Sequence, residues 1–270
     1  MSLRANFLLP QPDLLELPVN QIDLWLAAVE ESCDPALLGR YRLLLSAEEI
    51  GRGERFYFAK DRHRHLVTRA LLRTVLSRYA PLAPQQWVFA NNAHGKPTIA
   101  NAEPLAQGLS FNLSHTRGLI VLGVRRGGAL GVDVEHLHAR RALLDAGNAV
   151  FSDAERDALA LLSGDEQQQR FFQYWTLKEA YLKASGTGMS VALRNVSFEF
   201  LTQERVRLSL HGSLQGPASR WHFWQFRPTP DHLLSVCAEQ EAVQHCVART
   251  VVPLGPEELL DCEPFLQSMP

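Results

Sequence analysis

The chain has 270 residues, 46% apolar and 21% charged, a globular composition able to bury a core as one large domain or two half-size ones. Those numbers exclude disorder throughout, a coiled coil and a disulfide scaffold. Its 27 basic and 29 acidic residues leave a formal charge of −2, which excludes whole-surface attraction to nucleic acid, so any basic site must be local.

In chain order, residues 22–28 (IDLWLAA) predict a first strand. Ser46 and Glu49 form an S-x-x-E capping box and predict a helix over roughly 47–58. A longer helix is expected over 60–80, on the spacing of Leu66, Ala70, Leu72, Val75 and Leu76, with Pro81 ending it. Short strands follow at 87–90, 109–114, 119–125 and 130–135, with turns at 94–97 and Gly127–Gly128. Then the order recurs. Ser152 and Glu155 make a second box opening a helix to about 162. A longer helix over 166–184 ends at Gly186, and strands are expected at 195–201, 205–211, 220–227 and 232–239. This predicts an α+β fold, a pseudo-twofold monomer of two similar halves, each a small sheet packed on a long helix. The expected division is 1–128, 129–250 and a tail, 251–270, which lacks periodicity and is expected to drape over the surface or move.

Cys33, Cys237, Cys246 and Cys262 form no C-x-x-C pair, which speaks against a zinc ribbon or redox motif and suits a reducing cytosol. The apolar run 7–9 is too short for a signal peptide, and no stretch approaches 18 apolar residues. A cytoplasmic protein with no membrane span is expected.

Four groups of residues carry possible chemistry. In G-V-D-V-E (131–135), alternation turns Asp133 and Glu135 to one face of a strand, which suits either a hard divalent cation or a solvated strand end. In W-T-L-K-E-A-Y-L-K (175–183), Trp175, Glu179 and Lys183 lie four apart on one helix stripe while Lys178 points elsewhere. That spacing fits a surface ion pair, or a third carboxylate joining Asp133 and Glu135 with a lysine one turn away. In N-A-H-G-K-P (92–97) and F-N-L-S-H-T (111–116), Lys96 sits in a rigid turn, and Ser114 and His115 point to opposite faces, so they are no nucleophile–base pair. Finally, the run Arg52 to Arg78 holds eight Lys or Arg against Glu54 and Asp61. It reads as a solvated helix face, a nucleic-acid patch, or a surface for a phosphorylated ligand and acidic partner.

Taken together, NAHGKP, FNLSHT, GVDVEH, FSDAER and WTLKEAYLKASGTG resemble the phosphopantetheinyl transferases, in the larger surfactin-synthetase type with two halves in one chain. The resemblance spans roughly 46–200. It implies transfer of the 4′-phosphopantetheine arm of coenzyme A to a serine of an apo acyl, peptidyl or polyketide carrier protein, releasing adenosine 3′,5′-bisphosphate. It further implies that Asp133, Glu135 and Glu179 hold magnesium on the coenzyme A diphosphate, and that Lys183 neutralises the departing phosphate. Lys96, Ser114 and His115 would bind coenzyme A phosphates, with Arg52 and Arg64 at the nucleotide end. Glu179 is also the candidate general base, and Trp175 is given a structural role. Two positions depart from the family pattern: Glu49 stands where a basic residue is frequent, and His65 where a small hydroxyl residue is frequent. Two other readings are weighed: a metal-dependent nuclease or phosphatase, whose carboxylate–lysine spacing differs, and a non-catalytic carrier-binding relative, which should have lost a carboxylate or Lys183.

Overall fold

Two sheets, each with its own long helix, organise the chain. The structure is a computed structural model and describes residues 14–138, 150–188, 192–212, 214, 217–239 and 243–269. The run 7–9 lies outside these residues.

The first half opens with β1 (Gln21–Ala28) and α1 (Pro35–Arg42). The sequence reading missed α1, although its start is well marked. Asp34 accepts from the Ala36 and Leu37 amides, and Pro35 fills a first-turn position that needs no donor. The helix expected over 47–58 ends early, as α2 (Ala47–Glu54), and the longer one expected over 60–80 is α3 (Ala59–Leu76). The Arg62 guanidinium donates to the carbonyls of Phe56 and Tyr57, so the chain turns there. The α3 helix stops four residues short of the expected end. Tyr79 is instead pulled inward, donating to Asp23 and accepting from the Trp25 indole at 2.8 Å. A hairpin of β2 (Phe89–Asn91) and β3 (Pro97–Ile99), a short α4 (Pro104–Gln107), β4 (Leu109–His115) and β5 (Leu119–Arg126) complete this half.

The second half runs β6 (Leu130–His136), α5 (Asp153–Ala160), α6 (Gly164–Ser185), β7 (Val196–Phe200), β8 (Arg205–Leu210), β9 (Trp221–Thr229) and β10 (His232–Glu239). Both capping boxes form as expected. Each box glutamate also takes a cation from its long helix. Glu49 pairs with Arg69 and with Arg73 at 2.7 Å, and Glu155 with Lys178 at 2.7 Å.

The last strands correct the expected tail. Strand β11 (His245–Val251) runs parallel to β1, and β12 (Glu257–Leu259) pairs with β11. Strand β13 (Leu266–Ser268) inserts between β8 and β9. The tail therefore neither drapes nor swings; it is woven into both sheets, whose orders are β12-β11-β1-β5-β4 and β6-β10-β9-β13-β8-β7. Its two strands are three residues long, too short for an alternation to be read.

Apolar side chains fall into three cores. One packs α3 on the first sheet, through Trp25, Leu71, Leu72 and Phe111, and one packs α6 on the second, through Leu177, Tyr181 and Phe223. The third joins the two sheets, with Ile22, Leu24 and Leu26 of β1 meeting Val132 and Val134 of β6. Period-two alternation then obliges Gly131, Asp133 and Glu135 to face α6.

Candidate active site

Gly131 explains how close the helix comes. A Cβ there would stand 2.0 Å from the Ala180 carbonyl oxygen and 2.4 Å from the Ala184 nitrogen. Only glycine lets the α6 backbone rest on β6, and that contact delivers Glu179 and Lys183 to Asp133. At the far end of α6, Gly186 takes the left-handed cap with φ +67°.

Asp133 is the hub. Its Oδ1 accepts from Lys183 Nζ at 2.6 Å and from the Ser114 hydroxyl at 3.1 Å. Its Oδ2 is buried and has no partner. Glu135 accepts from the Trp175 indole and from the Thr116 hydroxyl at 3.4 Å. Burial, and then the neighbouring Asp133, push its carboxyl up to about 7. The same two causes raise Glu179, against the opposing pull of Lys183.

Among the described residues no three His, Cys, Asp or Glu side chains converge tightly enough to form a ready-made metal cage. Mutual repulsion accounts for the spread, with Lys183 supplying the cation beside Asp133. The donor chemistry nonetheless fits a hard ion such as magnesium: a buried, unpartnered carboxylate oxygen beside two further carboxyls, each raised by burial and by the Asp133 charge that a cation would offset.

The first half meets this cluster through β4. His115 is exposed and shares its neighbourhood with Arg64 and Lys183. Loss of water on its packed side lowers its pKa, and those two cations lower it further. Arg64 pairs with Asp61 at 2.9 Å. Arg52 is exposed on α2, close enough to His65 and Arg69 to lower both. The structure thus brings Asp133, Glu135, Glu179, Lys183, Ser114, His115 and Arg64 together, with Arg52 further out.

Lys96 is placed differently from a free phosphate ligand. Its ammonium donates to the carbonyls of Leu130 at 3.0 Å, Lys183 at 2.6 Å and Ala184 at 3.4 Å, capping the end of α6. Burial accordingly lowers its pKa. The two departures from the family pattern also find structural partners. Glu49 is held by Arg69 and Arg73, and His65 Nε2 donates to the Glu49 carbonyl at 2.9 Å.

Sequence reasoning missed the partners that orient the carboxylates. Trp175 was read as shaping a stripe, yet its indole N–H reaches Glu135. Asn112 and Thr116 were passed over, although N-x-S-x-T alternates polar side chains along one strand face, a signal readable at 112–116.

A family model described as the 4′-phosphopantetheinyl transferase superfamily matches residues 129–237, and one described as 4′-phosphopantetheinyl transferase, N-terminal, matches 37–125. The 4′-phosphopantetheinyl transferase HetI of Nostoc sp. is 35% identical over 184 residues, covering 67% of this chain and 76% of that protein. The 4′-phosphopantetheinyl transferase Sfp of Bacillus subtilis is 29% identical over 199 residues, covering 74% of this chain and 84% of that protein. Among solved structures, a holo-(acyl-carrier-protein) synthase from Bacillus anthracis in complex with CoA (3′,5′-ADP) is similar over 41% of this chain and 94% of that one, with a TM-score of 0.35 and 18% identity.

Proposed function

The chain belongs to the 4′-phosphopantetheinyl transferase superfamily, and we propose that it transfers the phosphopantetheine arm through the cluster built on Asp133. Coenzyme A gives up the arm to a serine of an apo carrier protein. The serine oxygen bonds to the phosphorus bearing the pantetheine, the diphosphate P–O bond breaks, and adenosine 3′,5′-bisphosphate leaves with the electron pair. The single observation that carries the site assignment is the buried, unpartnered Oδ2 of Asp133 between Glu135, Glu179 and Lys183.

Asp133, Glu135 and Glu179 would hold magnesium, which would supply positive charge against the diphosphate and so reduce repulsion toward the incoming oxygen. Lys183 neutralises charge on the departing phosphate. Its ammonium already lies in a partly water-excluded place, where such a charge acts strongly. Glu179 takes the serine proton. His115 and Arg64 bind the nucleotide phosphates, with Arg52 alongside.

In this reading residues 1–128 form the coenzyme A phosphate side and 129–250 the carboxylate side. Both come from one chain, which supports action as a monomer. Acidic carriers of fatty-acid, peptide or polyketide assembly suit the basic α2–α3 surface. Among the described residues no helix is long and apolar enough to cross a membrane.

The test is intact-mass analysis of an apo carrier protein incubated with the chain, coenzyme A and magnesium. One added phosphopantetheine arm is expected, absent with chelator and absent with Glu179→Ala. No mass gain on acyl, peptidyl or polyketide carriers would overturn the proposal.

A further inference from the structure

Strand β4 sends alternate side chains to the open edge of β6. The Val132 amide donates to Asn112 Oδ1 at 2.8 Å, the Val134 amide to Ser114 Oγ at 3.2 Å, and the His136 amide to Thr116 Oγ1 at 3.2 Å. Each rung joins residues 20 apart in sequence, so the three fix the register between the halves.

The middle rung does more. Ser114 Oγ also accepts from Lys183 Nζ at 2.9 Å and donates to Asp133 Oδ1 at 3.1 Å. A hydroxyl has one proton to give and two lone pairs to offer. Val134 and Lys183 fill the lone pairs and Asp133 takes the proton, so Ser114, itself 7% exposed, has nothing left for a phosphate oxygen. Its effect is to divide the labour of Asp133: Oδ1 is fixed by Ser114 and Lys183, and Oδ2 is left as the free, buried donor.

We propose that Ser114 is a positioning residue, which orients the Asp133 carboxylate and the Lys183 ammonium for metal and leaving group and makes no contact with coenzyme A. This rests on the proposed roles of Asp133 and Lys183. Carboxylate orientation by a hydrogen-bonding neighbour of this kind is worth about 10–100-fold in metal affinity or turnover.

The test uses the full chain as wild type and as Ser114→Ala, Ser114→Thr and Asn112→Ala. Three quantities are measured: Mn2+ affinity by electron paramagnetic resonance, coenzyme A affinity by calorimetry without metal, and kcat and the KM for coenzyme A with an apo carrier as acceptor. Ser114→Ala is expected to weaken Mn2+ binding and lower kcat by about 10–100-fold each, with coenzyme A affinity unchanged. Ser114→Thr, which keeps the hydroxyl, should recover most of both. Asn112→Ala removes a neighbouring rung away from Asp133 and should lower thermal stability while leaving Mn2+ affinity intact. A tenfold or greater loss of coenzyme A affinity in Ser114→Ala, with Mn2+ binding unchanged, would make Ser114 a phosphate ligand and overturn the proposal. Equal loss of Mn2+ binding in Asn112→Ala would reduce the serine to an ordinary interface rung and overturn it too. A wild type that binds no Mn2+ would instead sink the metal assignment. The kcat and KM split of Ser114→Ala then decides its role toward Lys183: a fall in kcat supports it, and a rise in KM for coenzyme A overturns it.

Discussion

Replacing Lys178 with methionine tests whether the two lysines of the W-x-x-K-E-A-x-x-K motif do different work. Lys178 is 1% exposed and pairs at 2.7 Å with a wholly buried Glu155. Its ammonium also donates to the carbonyls of Leu193, at 3.0 Å, and Val196. Glu155 in turn closes the second capping box and accepts from the Phe198 amide at 2.9 Å. Lys178→Met leaves that carboxylate buried without its counter-charge. Breaking a buried pair from one side costs about 3–5 kcal/mol. For a chain of this size the unfolding entropy is about 0.6 kcal/mol per degree, so Tm should fall by about 5–9 °C. Removing the other charge as well, in Lys178→Met/Glu155→Gln, should restore most of the loss, because no lone buried charge remains. Calorimetric melts give Tm, and intact-mass turnover at a temperature where both variants are folded gives kcat. The folded Lys178→Met protein should keep kcat within a few-fold of wild type, whereas Lys183→Met should lose turnover far beyond its effect on Tm. Unchanged Tm with lost kcat in Lys178→Met would refute the division, and would put Lys178 in the chemistry.

Three further outcomes are expected. Arg249 reaches the buried Asp23 at 3.2 Å from β11, so Arg249→Met should lower stability by about 3 kcal/mol, and Asp23→Asn in the same chain should recover part of it; equal melts for wild type and Arg249→Met would discount the last strands as a structural clamp. Lys96→Met leaves the last α6 carbonyls without a donor and should cost about 1–3 kcal/mol in chemical denaturation with coenzyme A affinity held, while a selective loss of coenzyme A binding would return Lys96 to the phosphates. The Glu135 carboxyl holds its proton to about pH 7 when folded against an ordinary 4.5, so between those values the metal-free protein binds more protons than the unfolded chain; its stability should fall as pH rises through that window, and Mn2+ affinity should rise with pH and level off above about 7, a flat profile from pH 5 to 8 counting against this carboxyl as a ligand.

Parts of this molecule with a local physical cause were readable from sequence. Both capping boxes announce their helices because serine and glutamate three residues apart satisfy each other's end groups wherever the chain goes next. The carboxylates on β6 follow from alternation, and Glu179 and Lys183 from helical spacing. What stayed hidden depends on contacts distant in sequence. Lys96 in its turn looks like a loop lysine, and its carbonyl partners are 34 to 88 residues away. The early end of α2, at Glu54 and not near 58, depends on where Arg62 reaches. Strands β11 to β13 carry little pattern of their own; β11 is recruited by β1 and β13 by β8 and β9, so neither can be recognised without its neighbours.

The strand that organises the site is β6, and it uses every direction a strand offers. On one side it pairs with β10, Asp133 opposite Ser235. On one face Val132 and Val134 join the core between the sheets, and on the other Gly131, Asp133 and Glu135 meet α6. That leaves its open edge, where unpaired amides invite another strand to add on. A strand pairing there would merge the two sheets and hold their backbones about 4.8 Å apart. The side chains of Asn112, Ser114 and Thr116 satisfy those amides instead, each placing the length of a side chain between the strands. The halves are therefore joined in a fixed register with a side chain's length between their strands. A sequence of alternating asparagine, serine and threonine thus seals an edge, and its middle rung also holds Asp133 and Lys183, which is why mutating a single rung should be felt in stability at position 112 and in chemistry at position 114.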